Sequence, residues 1–303
     1  RKRKNPWLGM LRGLLLPAAA AVALVMFAAA LDGLSAGRDA EDLRQLEEAL
    51  RRGCAACYAA EGVYPPNLEY LEDIHTKIQF VYYDGTYESM SAAVQASQPD
   101  LVYHMAAYYT GSHGPEHIPK LLDSNITLGA HLLGAMAEHK ISALVYASTI
   151  VAHYQGAEYR PLNLYAATKQ AFSDLLLYYT DVGLVRAVSV IISDTYGPGD
   201  NRPKILNIIK RATKTGERVA FSSGEQVYDV IYIDDLVSAF RMAGEQLLQG
   251  AYQNAVFQAV PESPLSLRET VEKLLQVNGL NLNAGWGERP APARELREKI
   301  RLY

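Results

Sequence analysis

A tyrosine and a lysine four positions apart, Tyr165 and Lys169, lie in the segment NLYAATKQ, where good helix formers follow Leu164. On a helix, side chains four residues apart lie on the same face. A lysine ammonium beside a tyrosine hydroxyl favours the phenolate and lowers the pKa of the phenol. Such a phenol can exchange a proton with a sugar hydroxyl or ketone while a hydride passes to or from a nicotinamide. The same spacing also fits a solvent-exposed pair, so the surrounding elements must decide.

Strand and helix patterns alternate around this pair. A short apolar strand is predicted at residues 142–148, before the helix that carries Tyr165, and another at residues 184–192 after it. This alternation predicts right-handed βαβ units, and therefore an α/β, doubly wound parallel sheet covered on both faces. Ser148 and Thr149 end the first of these strands, at the edge where such folds bind ligands. A hydroxyl group there can hold the reacting oxygen against the tyrosine.

Two further segments end at the same predicted edge. The strand in DLVYHMAA finishes with Ala106 and Ala107, which are small enough to let a flat ring system approach the backbone. The loop DTYGPGDNRP, residues 194–203, follows the strand at 184–192 and is rich in turn residues, so it could close over a diphosphate.

With YDGTYES, LYAATKQAF and DTYGPGD in that order, the chain from about residue 79 to its end resembles the extended short-chain dehydrogenase/reductases. Within them it is most similar to the NAD-dependent epimerase/dehydratase group that acts on nucleotide sugars, and there to the CDP-abequose and CDP-paratose synthase-like members. The resemblance implies a Rossmann-like fold and hydride transfer at a sugar carbon. It also implies NAD or NADP as cofactor, a nucleotide-diphosphate sugar as substrate and a cytoplasmic location.

The resemblance also implies a role for individual residues. Tyr165 would be the acid/base, Lys169 its partner and ribose ligand, and Thr149 with Ser148 the donors to the substrate oxygen. Asp84 would lie near the adenine, and Asn125 would support the lysine. The residues that would contact the cofactor are Asp84, Ala106, Ala107, Asn125, Tyr165 and Lys169.

Two positions depart from the family pattern. Many sugar epimerases carry asparagine where this chain has Asp194, and arginine where it has Tyr228. Both positions are expected to bind the sugar diphosphate, and an acidic side chain is unfavourable next to a phosphate. The departures therefore bear on which nucleotide sugar would fit.

The N-terminal part is of a different kind. Gly13 to Leu31 is an uncharged apolar run whose length matches a bilayer-spanning helix of about 20 residues. Lysines and arginines precede it, which predicts a cytoplasmic N-terminus and a single-pass membrane protein that contacts the membrane through residues 13–31. A cleaved signal peptide is the alternative, since small residues follow at 28–30. An amphipathic helix and linker are predicted after this run.

The glycine-rich turn that opens the family's first βαβ unit is the main missing feature. No strand, Gly-x-x-Gly-x-x-Gly turn and helix precede residue 77 in this sequence, so the donors for the pyrophosphate are expected to be lacking. We therefore predict an incomplete sheet with an exposed edge or empty slot, fused to an unrelated membrane segment. The predicted parts are a cytoplasmic basic tail and transmembrane helix at 1–36, an amphipathic helix and linker at 37–78, a partial dinucleotide-binding domain at 79–195, and a C-terminally truncated substrate subdomain at 196–303.

Two functions remain open at this point. The first is an NAD(P)-dependent nucleotide-sugar epimerase, dehydratase or reductase, which loss of the pyrophosphate loop would inactivate. The second is a non-catalytic, membrane-anchored binding protein or a fused-frame remnant. In either case the family leads us to expect a homodimer formed through the helices at 117–139 and 165–182.

Composition and side-chain spacing exclude several other classes. The net charge is −4 and basic residues cluster only at the N-terminus, which argues against a nucleic-acid surface. The two cysteines of the chain cannot form a disulfide framework. His113 and His117 have a metal-like spacing but no evident third ligand, so no metal site is predicted.

Overall fold

A computed structural model of the chain describes residues 25–29, 81, 83–111, 114–198, 200, 204–261, 263–292, 294–296 and 300. Its largest element is a five-stranded sheet with strand order β1-β2-β3-β4-β8. The strands are β1 Val25–Ala29, β2 Pro99–His104, β3 Ala143–Thr149, β4 Arg186–Ile192, β5 Asp194–Tyr196, β6 Val219–Ala220, β7 Val230–Tyr232, β8 Asn254–Ala259 and β9 Ala284–Gly285.

Helices connect these strands. They are α1 Tyr87–Ser97, α2 Ile118–Leu122, α3 Leu128–Glu138, α4 Leu164–Asp181, α5 Ile205–Thr215, α6 Ile233–Leu248 and α7 Leu267–Asn278. A π-helical turn, Asp123–Thr127, joins α2 to α3. The elements predicted around Tyr165 are confirmed, because β3, α4 and β4 follow one another as expected.

Strands β2, β3, β4 and β8 all run parallel. Leu144 pairs with Val102 on one side and with Ala187 on the other, and Ala187 in turn pairs with Asn254. Parallel strands need crossover connections, which the intervening helices provide. The predicted α/β, Rossmann-like parallel sheet is therefore confirmed.

The sheet is covered on both faces because successive side chains of a strand point in opposite directions. Leu144 and Tyr146 face α1, α3 and α4, where they pack with Phe172. Val145 faces α6 and packs with Phe240. The strands that carry the site are thus anchored in two hydrophobic cores.

A smaller core lies in the C-terminal part, where Ile209, Phe221, Leu267 and Val271 pack together. It joins α5 and α7 to the short pair of strands β6 and β9. However, β8 and α6 also lie beyond residue 195, and they belong to the main sheet and its cover. The division of the chain at residues 195/196 stays a prediction.

Strand β1 differs from what the sequence led us to expect. The apolar run 13–31 is predicted as a transmembrane helix, but Val25–Ala29 forms a strand that pairs antiparallel with β2. The helix prediction is wrong for these five residues. The expected exposed edge beside β2 is also wrong, since β1 fills that position. A run of five apolar residues is compatible with a strand as well as with a helix.

The other N-terminal predictions concern few described residues. The rest of residues 1–78, including the predicted amphipathic helix, lies outside the described residues. A strand is predicted at 77–84, but residues 81, 83 and 84 have no regular structure. No helix within the described ranges has the length and apolar character needed to cross a bilayer.

Candidate active site

Helix α4 presents Tyr165 and Lys169 on successive turns. The helix begins after Asn163, whose side-chain Oδ1 accepts a hydrogen bond from the backbone N–H of Ala166 at 2.9 Å. This N-cap satisfies one of the donors that the first turn leaves open. Tyr165 is half-buried in that first turn, whereas Lys169 is only 2% exposed. The arrangement excludes the solvent-exposed pair that the spacing also allowed.

The ammonium of Lys169 lies against an aromatic ring of the neighbouring strand. Its Nζ is 4.3 Å from the ring centroid of Tyr146 in β3. The hydroxyl of Tyr146 donates a hydrogen bond to the backbone carbonyl of Lys169 at 3.0 Å. A cation over an aromatic face is stabilised by the ring quadrupole, more strongly when water is excluded.

The ring of Tyr165 has an aromatic neighbour from the loop after β2. Tyr109 contacts it edge to face, with ring centroids 5.0 Å apart. Desolvation of its phenol, followed by the negative charge of Asp194, raises the pKa of Tyr109. The loop after β2 and helix α4 therefore meet at Tyr109 and Tyr165, and the charge of Asp194 acts on the phenol of Tyr109.

Ser148 and Thr149 lie where expected, in the last two positions of β3. Thr149 is 8% exposed, and its Oγ1 accepts a hydrogen bond from the backbone N–H of Val151 at 3.4 Å. This contact begins the short 3₁₀ turn that follows the strand. Ser148 is half-buried.

Asn125, in the π-helical turn, connects the loop after β2 to α4. Its Oδ1 accepts a hydrogen bond from the backbone N–H of Tyr108 at 2.7 Å, and its Nδ2 donates to the carbonyl of Tyr108 at 3.1 Å. The same Nδ2 donates to Oγ1 of Thr168 at 2.9 Å. Thr168 directly precedes Lys169, so Asn125 holds the turn of α4 that carries Lys169.

The other predicted cofactor residues have unlike environments. Ala106 is buried and Ala107 is half-buried in the loop after β2. Asp84 is exposed and accepts hydrogen bonds from Thr86 at 2.9 Å through the backbone N–H and at 2.6 Å through the hydroxyl. These bonds, led by the Thr86 side chain and joined by Ser89, lower the pKa of Asp84. Asp84 thus supports the start of α1.

The two positions predicted to bind substrate, Asp194 and Tyr228, are in direct contact. The hydroxyl of Tyr228 donates a hydrogen bond to Oδ2 of Asp194 at 3.3 Å. Asp194 also forms an ion pair with Lys204, whose Nζ donates in addition to the carbonyl of Thr195 at 3.2 Å. The positive charge of Lys204 offsets the negative charge of Asp194, which alone would be unfavourable beside a phosphate.

Three residues of the site were not predicted from the sequence: Tyr146, Tyr109 and Lys204. Tyr146 could have been found from its position in β3, two residues before Ser148 and so on the same face of the strand. Lys204 is a basic residue beside the turn-rich loop, which is a usable signal for a diphosphate. Nothing in the spacing of Tyr109 pointed to Tyr165.

Three of the described histidines, His104, His117 and His153, contact neighbouring side chains or backbone. His104 is buried between the rings of Tyr146 and Phe172, and His153 hydrogen-bonds the carbonyl of Glu158 at 2.7 Å. His117 hydrogen-bonds the hydroxyl of Tyr108 at 2.9 Å. His113 lies outside the described residues. No group of three metal-ligating side chains occurs in the part of the chain that the structure describes.

Several known proteins with related sequences have names of nucleotide-sugar enzymes. CDP-abequose synthase of Yersinia pseudotuberculosis is 26% identical over 213 residues, which cover 68% of this chain and 72% of the relative. Among solved structures, MoeE5 in complex with UDP-glucose and NAD is 24% identical with a TM-score of 0.57, covering 66% of this chain and 68% of that one. UDP-N-acetylglucosamine 4-epimerase from Methanobrevibacter ruminantium M1 is 17% identical with a TM-score of 0.68, over 84% and 86% of the two chains.

The match to a protein family extends further towards the N-terminus than the resemblance first suggested. It covers residues 45–256, so part of the segment assigned to a linker at 37–78 lies inside it. This match spans more than half of the 303 residues. The chain belongs to the NAD dependent epimerase/dehydratase family.

Proposed function

We propose that this chain binds NAD or NADP and a nucleotide-diphosphate sugar, and that it catalyses hydride transfer at a sugar carbon as an epimerase, dehydratase or reductase. The observation that carries the proposal is that Tyr165 lies one helical turn before the buried Lys169, in the helix that follows the carboxyl end of β3. A buried lysine next to a half-buried tyrosine is suited to proton transfer in a water-poor site.

The residues at the reacting end of the site fit a nicotinamide dinucleotide. Ala106 and Ala107 leave room beside the backbone of the loop after β2, and Lys169 would bind the ribose. Asn125 would hold that loop and α4 in register. Among the described residues, no glycine-rich strand-to-helix turn supplies donors for the pyrophosphate. When bound, the dinucleotide would accept or donate the hydride.

The chain's own residues would handle the proton. Tyr165, as phenolate, would take the proton of a sugar hydroxyl through its Oη as the C–H bond at the same carbon breaks, leaving a ketone. In the reverse direction it would return that proton to the carbonyl oxygen. The positive charge of Lys169 would stabilise the phenolate, and Ser148 or Thr149 would hydrogen-bond the reacting oxygen.

The substrate end would lie near Asp194 and Tyr228. Lys204, paired with Asp194, supplies a positive charge for a diphosphate, and Tyr228 supplies a hydroxyl. The names of the relatives support a nucleotide sugar, since they include a CDP-sugar synthase and UDP-sugar epimerases. A homodimer through the helices at 117–139 and 165–182 stays a prediction.

Cofactor titration of the full chain tests the proposal. We would follow the nicotinamide fluorescence of NADH and, separately, NADPH, with a Tyr165→Phe, Lys169→Ala variant alongside. Saturable binding in the micromolar range, weakened in this variant, is the expected result. A Tyr178→Phe, Lys210→Ala variant is a matched control, because both side chains are exposed and should leave binding unchanged.

The opposite result is equally informative. If neither dinucleotide binds at millimolar concentration, the hydride-transfer proposal fails. The second function from the sequence analysis would then apply, namely a non-catalytic binding protein or remnant that retains the family's Tyr165 and Lys169.

A further inference from the structure

The proposed chemistry requires that Lys169 stay charged although its side chain is buried. Removing an ammonium from water favours its neutral form. A neutral Lys169 could not stabilise a phenolate at Tyr165, and its side chain is only 2% exposed. Some feature of the surrounding protein must therefore compensate for the lost hydration.

Tyr146 is in position to do so. Its ring lies 4.3 Å from the Nζ of Lys169 and is itself fully buried, so water does not weaken the attraction. The hydroxyl of Tyr146 donates to the backbone carbonyl of Lys169 at 3.0 Å, which couples the ring to the turn that carries the lysine. Phe172 packs against the same ring, with centroids 4.6 Å apart, and restricts its movement.

His104 also contributes to this environment by its charge state. It stacks on Tyr146 with ring centroids 5.6 Å apart, and burial, followed by the nearby positive charge of Lys169, lowers its pKa to about 3. Neither of its ring nitrogens has a hydrogen-bond partner among the described residues. The imidazole is therefore neutral, and it does not place a second positive charge beside the lysine.

We propose that Tyr146 is a positioning residue for Lys169: its ring keeps the buried ammonium charged and directed towards the turn of Tyr165. The inference rests on the proposed function for its catalytic meaning, but the contact between Tyr146 and Lys169 can be tested without turnover. Tyr146 touches neither substrate nor cofactor in this assignment and acts only through the lysine.

A graded change of the ring's electrostatics tests this role with little change in shape. Phenylalanine and its mono-, di- and trifluorinated analogues would be incorporated at position 146, since fluorine weakens the negative face of the ring while the ring itself is retained. The pKa of Lys169 would be followed through its Nζ and Cε resonances in lysine-labelled protein, assigned with a Lys169→Arg variant. We expect this pKa to fall stepwise, by about 0.4 to 1.5 units across the series.

Phe172 provides the matched control. It is as buried as Tyr146 and contacts the Tyr146 ring, whereas the ammonium of Lys169 lies over the ring of Tyr146. The same fluorinated series at position 172 should leave the Lys169 pKa unchanged. A flat series at position 146, or an equal slope at position 172, would overturn the positioning role.

The readout also separates this inference from the proposed function. It uses the chain without cofactor or substrate, so a stepwise response stands even if NADH fails to bind. Conversely, tight NADH binding together with a flat series would leave the proposed function intact and remove Tyr146 from it.

Discussion

The buried imidazole of His104, beside Lys169, should make the free energy of unfolding depend on pH in the acidic range. Its pKa is lowered to about 3 in the folded chain, chiefly by burial, whereas an imidazole in the unfolded chain titrates near 6.5. Below pH 6.5 the unfolded chain therefore takes up a proton that the folded chain does not. Because the unfolded state binds more protons, the free energy of unfolding falls as the pH falls.

The magnitude follows from the difference between the two pKa values. Between pH 7 and pH 5 the imidazole of the folded chain stays neutral. The imidazole of the unfolded chain becomes protonated, since pH 5 lies about 1.5 units below its pKa. At 1.36 kcal/mol per unit, this lowers the free energy of unfolding by about 2 kcal/mol. The unfolding equilibrium constant would rise about thirty-fold.

Urea unfolding at pH 7 and pH 5 measures this effect, with a His104→Leu variant as reference. The variant differs from wild type in packing and hence in absolute stability, so the relevant quantity is the change in the free energy of unfolding between the two pH values. Wild type should lose about 2 kcal/mol more than the variant over this interval. Equal losses in both proteins would refute the reasoning, since they would show that His104 is protonated in the fold or already desolvated in the unfolded chain.

Two substitutions should affect the framework of the site. Asn163→Ala removes the N-cap of α4 and should lower the free energy of unfolding, measured in urea, by about 1 kcal/mol. Asn163→Ser keeps a side-chain acceptor and should retain most of the wild-type stability. An alanine variant as stable as wild type would exclude a capping role. Gly129→Ala would place a methyl group against the ring of Phe172, and we expect a net loss of about 1 to 3 kcal/mol despite the better helix propensity of alanine. A higher melting temperature of Gly129→Ala would show that the Phe172 ring can move aside.

The sequence was sufficient where chemistry depends on residues that are close along the chain. Tyr165 and Lys169 lie on one helix, so their common face follows from helical geometry alone. Ser148 and Thr149 were placed correctly because a parallel strand ends where its apolar residues end. The parallel order of β2, β3 and β4 followed from the alternation of strands and helices.

The contacts that complete the site are distant in sequence and could not be read from spacing. Tyr146 precedes Lys169 by 23 positions, and their contact exists only because α4 packs on β3. Asp194 and Tyr228 are 34 positions apart, so their hydrogen bond could not be predicted from the sequence. Packing of distant elements decides such pairs, and local propensity does not contain this information.

Strand β1 shows a different reason for failure. Its five residues lie inside an apolar run whose length fits a bilayer helix, and hydropathy does not distinguish an apolar strand from a helical segment. Strand β8 was missed for the opposite reason, because NAVFQA mixes polar and apolar residues and resembles a loop. The segment is a strand because it pairs with β4, and its composition alone does not indicate this.

The π-helical turn between α2 and α3 has an evolutionary consequence. The N–H of Leu128 bonds to the carbonyl of Asp123, five residues back, so the turn holds one residue more than an α-helical turn would. Deleting one residue there would leave a continuous α-helix and rotate Asn125 by about 100° relative to α3. A single-codon deletion could therefore remove the link from Asn125 to Tyr108 and Thr168 without changing a residue type, and a single-codon insertion could restore it.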